Sequence, residues 1–314
     1  MKPENQAICS HQGSILFAQY TTGKLNLCIT CGLVIGRPLN MKRAESSIYN
    51  RFYKNESSSR FGPGAEFLIR LFRLGRAVTL SVLSPEARTI LDVGSGRGWM
   101  LYDLKKKFRF ARTAGIQIAK PAAQFSRQRL GLEIFDRDLL ELDFGKDRFD
   151  IVTLWHVLEH VRHPQETIRR IHQLLNPQGL LIVEVPNFFS WTCARTLPYW
   201  LGLDLDYHRS FFTSTSLISL LERNQFEIKR IRSFSFEYST FISAQSILGH
   251  ITRTDQVFYR WLQNPTFSMR ALLHLTGFCI LFPPCFLINM ILFFTLRGEV
   301  LRVVARKKHT QAAP

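Results

Sequence analysis

The sequence predicts an α/β protein, a mostly parallel sheet with helices on both faces, carrying a small N-terminal β knuckle and a hydrophobic insertion. Three observations predict it. Between residues 86 and 247 short apolar runs alternate with helical segments, the rhythm of βαβ units. The first 40 residues are turn-rich and contain the knuckle "CITCG" at 28–32. Residues 271–296 hold no charged side chain at all.

Composition narrows the class further. A hydrophobic content of 46% excludes wholesale disorder, and a net charge of +17 predicts an anionic partner, either nucleic acid or an acidic lipid surface. Of the six cysteines, Cys9, Cys28 and Cys31 cluster early while Cys193, Cys279 and Cys285 stand singly in apolar surroundings, so a disulfide scaffold is not indicated. The opening "MKPENQAICSHQGS" lacks an apolar core, which predicts a cytosolic domain.

In chain order, residues 1–40 read as a hairpin-like ribbon, with "YTTGKLNL" supplying a tight turn. Residues 41–85 begin as a polar linker and end in an amphipathic helix, "AEFLIRLFRLGRAVTL". The principal domain covers 86–308, with strands expected at "TILDV", "AGIQI", "LEIFD", "FDIVTLW", "GLLIVEV" and "FEIKRIRSF". The hydrophobic insertion occupies 248–297, a further strand follows in "GEVLRVVARKK", and 309–314 form a tail.

The segment most informative about function is "LDVGSGRGWML". A strand that stops at Asp92 and turns through Gly94, Gly96 and Gly98 lets backbone approach a ligand closely, and the next helix aims its amides there. Such turns serve dinucleotides, flavins and sulfonium cofactors alike, or merely shape a tight turn. G-S-G-R-G lacks the last glycine of G-x-G-x-x-G, which argues against a dinucleotide.

"TILDVGSGRGWML" resembles the first motif of class I S-adenosylmethionine-dependent methyltransferases, and the resemblance continues in register over about residues 86–230. "AGIQIAKPAAQFSRQR" is similar to that family's second strand and helix. "DRDLLELDF" is similar to its third-strand motif, and "FDIVTLWHVLEHVRHPQETIRRIHQLLNPQGLLIVEVPN" to its fourth strand through its fifth. "HRSFFTSTSLISLLERNQFEI" resembles the branch that includes ubiquinone-biosynthesis O-methyltransferases. The resemblance implies a Rossmann-like sheet of seven strands with the last antiparallel. It implies that Asp92, Gly94, Ser95, Gly96 and Gly98 line the methionine end of S-adenosylmethionine. Asp138 would lie near the adenine, and Trp155 and His156 would close one wall. One position departs from the family: its second strand ends in Asp or Glu, which binds both ribose hydroxyls, whereas this chain has Gln117. A neutral carbonyl acceptor in place of a carboxylate predicts weaker cofactor binding.

Methyl transfer asks mainly for alignment of acceptor and sulfonium, and a hydroxyl acceptor also needs a base. His156 and His208 are the catalytic candidates, with Glu159 and His160 nearby. "HVLEH" at 156–160 also fits the H-x-x-E-H of inverted zinc proteases, but it falls at a strand end inside the methyltransferase run; the plainer reading is that Glu159 and His160 brace the following helix.

"CITCG" is half of a zinc site. Some relatives carry two C-x-x-C-G knuckles; here the first reads "CSHQG", with Gln12 at the second cysteine's place, so His11 is the candidate fourth ligand beside Cys9, Cys28 and Cys31. The alternative is a ribbon that folds without metal.

The stretch 271–296 is long enough to span a bilayer, but Pro283 and Pro284 interrupt it and the following strand must rejoin the cytosolic sheet. The sequence therefore predicts a helical hairpin, 271–282 and 285–296, dipping into one leaflet, with Arg270, Arg297, Arg302, Arg306, Lys307 and Lys308 set for anionic lipid. The helix at 65–80 is expected to join it, with Phe67, Leu68, Leu71, Phe72 and Val78 on one side and Arg70, Arg73 and Arg76 recurring every third residue. A soluble dimer interface or a lid over the active site is the alternative for both. These features together point to methyl transfer, to oxygen by resemblance, onto a small-molecule or lipid-linked acceptor, by a cytoplasmic protein seated peripherally or monotopically on a membrane. RNA methylation and a cofactor-poor binding module are the competing readings. Against RNA, the positive charge is scattered, no base-stacking motif is evident, and "LWHV" stands where base-amino methylation would place an N-P-P-Y-like motif.

Overall fold

The computed structural model describes residues 9, 11, 13–39, 63–108, 110–254, 256–263 and 268–308. The polar linker through residue 62 and the tail 309–314 expected from the sequence lie outside the described residues.

Strands β1 (Ser14–Tyr20), β2 (Gly23–Cys28) and β3 (Val34–Pro38) form the N-terminal ribbon. Helix α1 (Pro63–Leu83) leads into β4 (Thr89–Val93), α2 (Trp99–Lys107), β5 (Arg112–Ile116), α3 (Lys120–Leu130) and β6 (Glu133–Phe135). The second half runs β7 (Phe149–Trp155), α4 (Pro164–Leu174), β8 (Leu175–Pro186), α5 (Trp191–Thr196), β9 (Ser210–Phe211), α6 (Ser214–Arg223) and β10 (Phe226–Arg232). Helices α7 (Ser239–Thr252), α8 (Val257–Gln263) and α9 (Met269–Leu292) precede β11 (Val300–Lys307).

The large sheet has the order β10-β11-β8-β7-β4-β5-β6. Its strands from β6 through β8 pair in parallel, and β11 is antiparallel to both β8 and β10. Alternating side chains divide the core between two faces. Leu91, Val152, Leu154, Leu181 and Val183 pack on one, and Ile90, Ile151, Ile182 and Val304 on the other. This is the class I methyltransferase sheet that the resemblance implied.

The ribbon is tied to the principal domain. β3 pairs with β9, so the small sheet runs β1-β2-β3-β9, and Gly36 N–H bonds the Arg209 carbonyl at 2.9 Å. Leu33 enters the main core, while Leu25 and Val34 pack with Trp200, Phe211 and Ile242 in a third cluster.

The hydrophobic insertion differs from the expected hairpin: α9 is one continuous helix through Pro283 and Pro284. Proline inside a helix costs roughly 3 kcal/mol, since an N–H is lost and the ring crowds the preceding turn. Packing opposes that cost on both sides of the break. His274 and Gly277 lie against Thr254 and Leu248 before the prolines, and Asn289 donates to Ser243 Oγ at 2.8 Å after them. Both prolines sit on the exposed side of the helix. Ser268 Oγ caps the helix start by accepting from Ala271 N–H.

Candidate active site

The loop after β4 is shaped by three residues that only glycine occupies without strain. Gly94, Gly96 and Gly98 have φ of +74°, +59° and +75°. A Cβ on Gly94 would meet Val157 Cγ2 at 2.3 Å, and one on Gly98 would meet Leu132 Cδ1 at 2.6 Å. Gly94 and Ser95 N–H both bond the Ile116 carbonyl, which fastens the loop to the end of β5. Ser95 Oγ, Trp99 Nε1 and Trp155 Nε1 are buried without a hydrogen-bond partner among the described residues. A cradle of left-handed glycines with buried, unpaired polar atoms around it fits a bound S-adenosylmethionine, whose amino acid and sugar supply matching groups.

Asp92 is fully buried at the end of β4 and accepts from Thr153 Oγ1 at 2.6 Å. Burial raises its carboxyl to about 6, against the pull of that hydroxyl and of Arg73 and Arg76. Gln117 follows β5, and its Oε1 accepts from Ala119 N–H at 3.0 Å. The side chain thus folds back over the start of α3, engaging the carbonyl that a ribose would otherwise share. Asp138 is half-buried beyond β6 and caps a 3-10 turn by accepting from Leu140 N–H at 2.9 Å.

A buried ionic cluster stands beside this loop. His156, in left-handed backbone at φ +55°, has Nδ1 at 3.4 Å from Glu159 and Nε2 at 3.2 Å from Glu184. Burial alone would lower the His156 pKa, but the two carboxylates prevail and hold it at about 9. The imidazole therefore keeps its proton at neutral pH. Glu184 also takes a two-nitrogen contact from Arg302 at 2.6 Å, and Arg76 approaches it at 3.5 Å. Despite complete burial, Arg302 first, then His156 and Arg76, keep Glu184 well below the usual carboxylate range. Arg76 reaches Glu237 at 2.6 Å, with Arg73 at 3.6 Å. The guanidinium carbons of Arg76 and Arg302 lie 4.4 and 5.0 Å from the Trp155 ring, and Tyr238 packs on His156 with ring centroids 4.1 Å apart.

On the far side of Glu159 lie His160 and His208. Their rings are 4.8 Å apart, and the carboxylate oxygen and ring nitrogens of the three residues all lie within 4.8 Å of one another. His208 Nδ1 contacts the Gly202 carbonyl at 2.9 Å and His160 Nδ1 the Tyr207 carbonyl at 3.1 Å. A carbonyl only accepts, so each Nδ1 carries a proton and Nε2 is the nitrogen of each ring left to accept or to ligate. Burial first, then His160, lowers His208 to about 4. One carboxylate and two imidazoles are also a donor set that a divalent cation takes.

Sequence reasoning named His156, Trp155 and the loop, which fall together here, but it missed the inward roles of Arg76, Glu184, Glu237, Tyr238 and Arg302. Glu184 carried a readable signal, a lone charge inside the apolar run "GLLIVEV". The threefold spacing of the α1 arginines predicts a lipid-facing series, yet Arg76 points into the cluster.

Cys9, His11, Cys28 and Cys31 converge at the ribbon's base, with one donor atom from each within 4.8 Å of the others. Cys9 and Cys28 Sγ are 3.6 Å apart, and Cys31 Sγ is 3.5 Å from His11 Nδ1. Two thiolates on one tetrahedral zinc at about 2.3 Å stand roughly 3.8 Å apart, so the donor set and its spacing fit a structural zinc ion. Hydrogen bonding from His11 and neighbouring groups brings the Cys28 thiol down to about 6 against its burial, whereas burial first, then Cys28 and Cys9, push Cys31 up to about 12. Cys28 therefore gives up its proton first, and Cys31 would need the metal's own charge to do so.

A family model described as a methyltransferase domain matches residues 65–231. A ubiquinone biosynthesis O-methyltransferase from Alkalilimnicola ehrlichii is 34% identical over 108 residues, covering 32% of this chain and 43% of that protein. A demethylmenaquinone methyltransferase from Thermus thermophilus is 28% identical over 137 residues, covering 40% of this chain and 62% of its own length. The chain thus spans about half the length of the curated relatives it matches. Among solved structures, a Galdieria sulphuraria protein provisionally classed as a sarcosine dimethylglycine methyltransferase superposes with a TM-score of 0.50 at 11% identity, over 75% of this chain and 85% of that one. From the matched domain and the order of its sheet, the chain belongs to the methyltransferase-domain family and has the class I S-adenosylmethionine-dependent fold.

Proposed function

We propose that the protein transfers a methyl group from S-adenosylmethionine to an oxygen of a small-molecule or lipid-linked acceptor at the cytosolic face of a membrane. The observation that carries this reading is the Gly94–Gly98 cradle at the end of β4, with a cluster of imidazoles and a carboxylate next to it. S-adenosylmethionine, when bound, supplies an electrophilic methyl on sulfur. Asp92, Gly94, Ser95, Gly96 and Gly98 would hold its methionine end, Gln117 and Asp138 its nucleoside, and Trp155 would bound the site.

A hydroxyl acceptor would have to give up its proton to take the methyl group that S-adenosylmethionine would supply. The unprotonated Nε2 of His208 takes that proton in this reading, and the Glu159 carboxylate stabilises the imidazolium that forms. His156 is already protonated, so it positions: it fixes Glu159 between itself and the histidine pair. If a divalent cation is bound, Glu159, His160 and His208 would hold it, and it would supply charge to lower the acceptor hydroxyl's pKa.

The test is incubation of labelled S-adenosylmethionine with the protein and membranes, followed by separation into lipid, RNA and protein fractions. Label in the lipid or small-molecule fraction supports the reading, and label confined to RNA overturns it. His208→Asn is expected to lower kcat by about 10²–10⁴-fold while leaving cofactor affinity unchanged.

A further inference from the structure

Helices α1 and α9 each leave an apolar face turned outward. A helix on a water-exposed surface keeps its polar residues outward and its apolar residues on the core. In α9 the buried stripe contains His274 and Asn289, whereas Met269, Leu273, Ile280, Leu287 and Ile291 recur at helical spacing on the opposite side and are exposed. Asn289 belongs to a buried polar network in which Ser243 Oγ donates to Glu299 at 3.0 Å and Trp200 Nε1 donates to Glu299 at 3.0 Å. The polar side of α9 thus grips the domain and its apolar side is left over. Helix α1 also leaves an apolar face outward: Ala77 and Leu80 pack in the core and Arg73 and Arg76 turn inward to Glu237, while Phe67, Leu71, Val78 and Val82 are exposed on the opposite face.

The short segment between β10 and α7 touches both helices. Glu237 pairs with the arginines of α1, the Phe234 ring lies 6.3 Å from Phe286 of α9, and Phe236 between them is 73% exposed. The next residue, Tyr238, packs on His156. Cations mark both ends of α9: Arg270 beside its start, and Arg297 and Arg232 at its finish, stacked on Phe189 and Phe293 at 4.4 and 6.0 Å.

We propose that α1, Phe236 and α9 form one docking face for an anionic phospholipid bilayer, with α9 lying flat in the interface and the methyl-transfer site held beside it. By length and composition Met269–Thr295 could cross a membrane. Its buried stripe, however, runs against α7 on both sides of the prolines, so the helix stays on one side with the domain. Laid flat, its 24 residues extend about 36 Å along the membrane plane. Charge selects the occupant. A second copy would bring another +17 against this surface, whereas anionic headgroups complement the terminal arginines while acyl chains take the apolar stripe.

The position of the site relative to the bilayer rests on the methyltransferase reading; the docking itself does not. The full chain is mixed with vesicles of phosphatidylcholine alone or with about one-third phosphatidylglycerol. Cys279, exposed on α9, carries an environment-sensitive fluorophore. Co-sedimentation with the anionic vesicles and blue-shifted emission are expected. The double variant Ile280→Asp, Leu287→Asp should lose at least tenfold in vesicle affinity and keep its calorimetric titration with S-adenosylmethionine. That last measurement separates failure of docking from failure of the methyltransferase reading. Unbound protein with unshifted emission on both vesicle types overturns the proposal. So does a dimer in light scattering that the double variant dissolves, since the face would then join two copies.

Discussion

Asp92 ties the titration of one carboxyl to cofactor binding. Its burial raises the carboxyl to about 6, so it is ionised at pH 7.5 and takes up a proton as pH falls through 6. If the carboxylate contacts the cofactor's amino group, affinity is level above pH 7 and falls about tenfold per pH unit below 6. Asp92→Asn should bind weakly at every pH and lose that dependence; calorimetry between pH 5 and 8 checks both. Gln117 offers a gain-of-function test. Gln117→Glu replaces a neutral acceptor by a charged one and should tighten cofactor binding by about tenfold, read by the same titration. The loop glycines were legible in the sequence because a left-handed turn excludes other residues locally. Arg76 and Glu237 were not, and Glu184 showed only as a lone charge in an apolar run, because their meaning lies in one another: three buried charges contributed by α1, β8 and the segment before α7. Gln117 was legible as a departure, though its bond to Ala119 N–H was not.

At the scale of elements, the turn after β4 and the seating of α9 carry most of the consequences. Gly94→Ala places a methyl 2.3 Å from Val157 Cγ2 in backbone that alanine avoids, and it should abolish cofactor binding. Adding Val157→Ala removes the clash but not the backbone strain, so only partial recovery in the titration is expected. Ser243→Ala leaves the Glu299 carboxylate and the Asn289 amide each short of a partner, at a cost of about 2 kcal/mol. A Tm lowered by several degrees, with cofactor affinity retained, would check it. The strands and helices of the βαβ units were readable because apolar alternation and helical period are local signals. The break at Pro283 and Pro284 was also a local signal, and it misled. The helix continues because contacts with α7 on both sides, Gly277 against Leu248 and Asn289 to Ser243, outweigh two lost hydrogen bonds, and no local pattern encodes that packing.

At the scale of the whole molecule, the N-terminal ribbon, β9 and α7 meet around residues 200–211, where Leu25, Val34, Trp200, Leu205, Phe211 and Ile242 pack together. β9 begins two residues after His208 and pairs with β3, just beyond the Cys28–Cys31 knuckle, while Arg209 and Ser210 N–H both bond the Glu159 carbonyl. The ribbon thus braces the strand that follows the histidine pair. Protein purified without added metal should contain one zinc per chain by atomic emission, as structural sites do, and Cys28→Ala should lose the zinc and lower Tm. The pairing of β3 with β9 had no counterpart in the sequence reading, which could place a knuckle but not the strand it would join.

The catalytic roles depend on the turn after Asp92 receiving the methionine end of S-adenosylmethionine. Titration of the purified chain with that cofactor, beside the Gly94→Ala variant, tests this most directly. The account predicts saturable heat at one site per chain, absent from the variant. No heat with the unaltered chain, or equal heat with both, would contradict it.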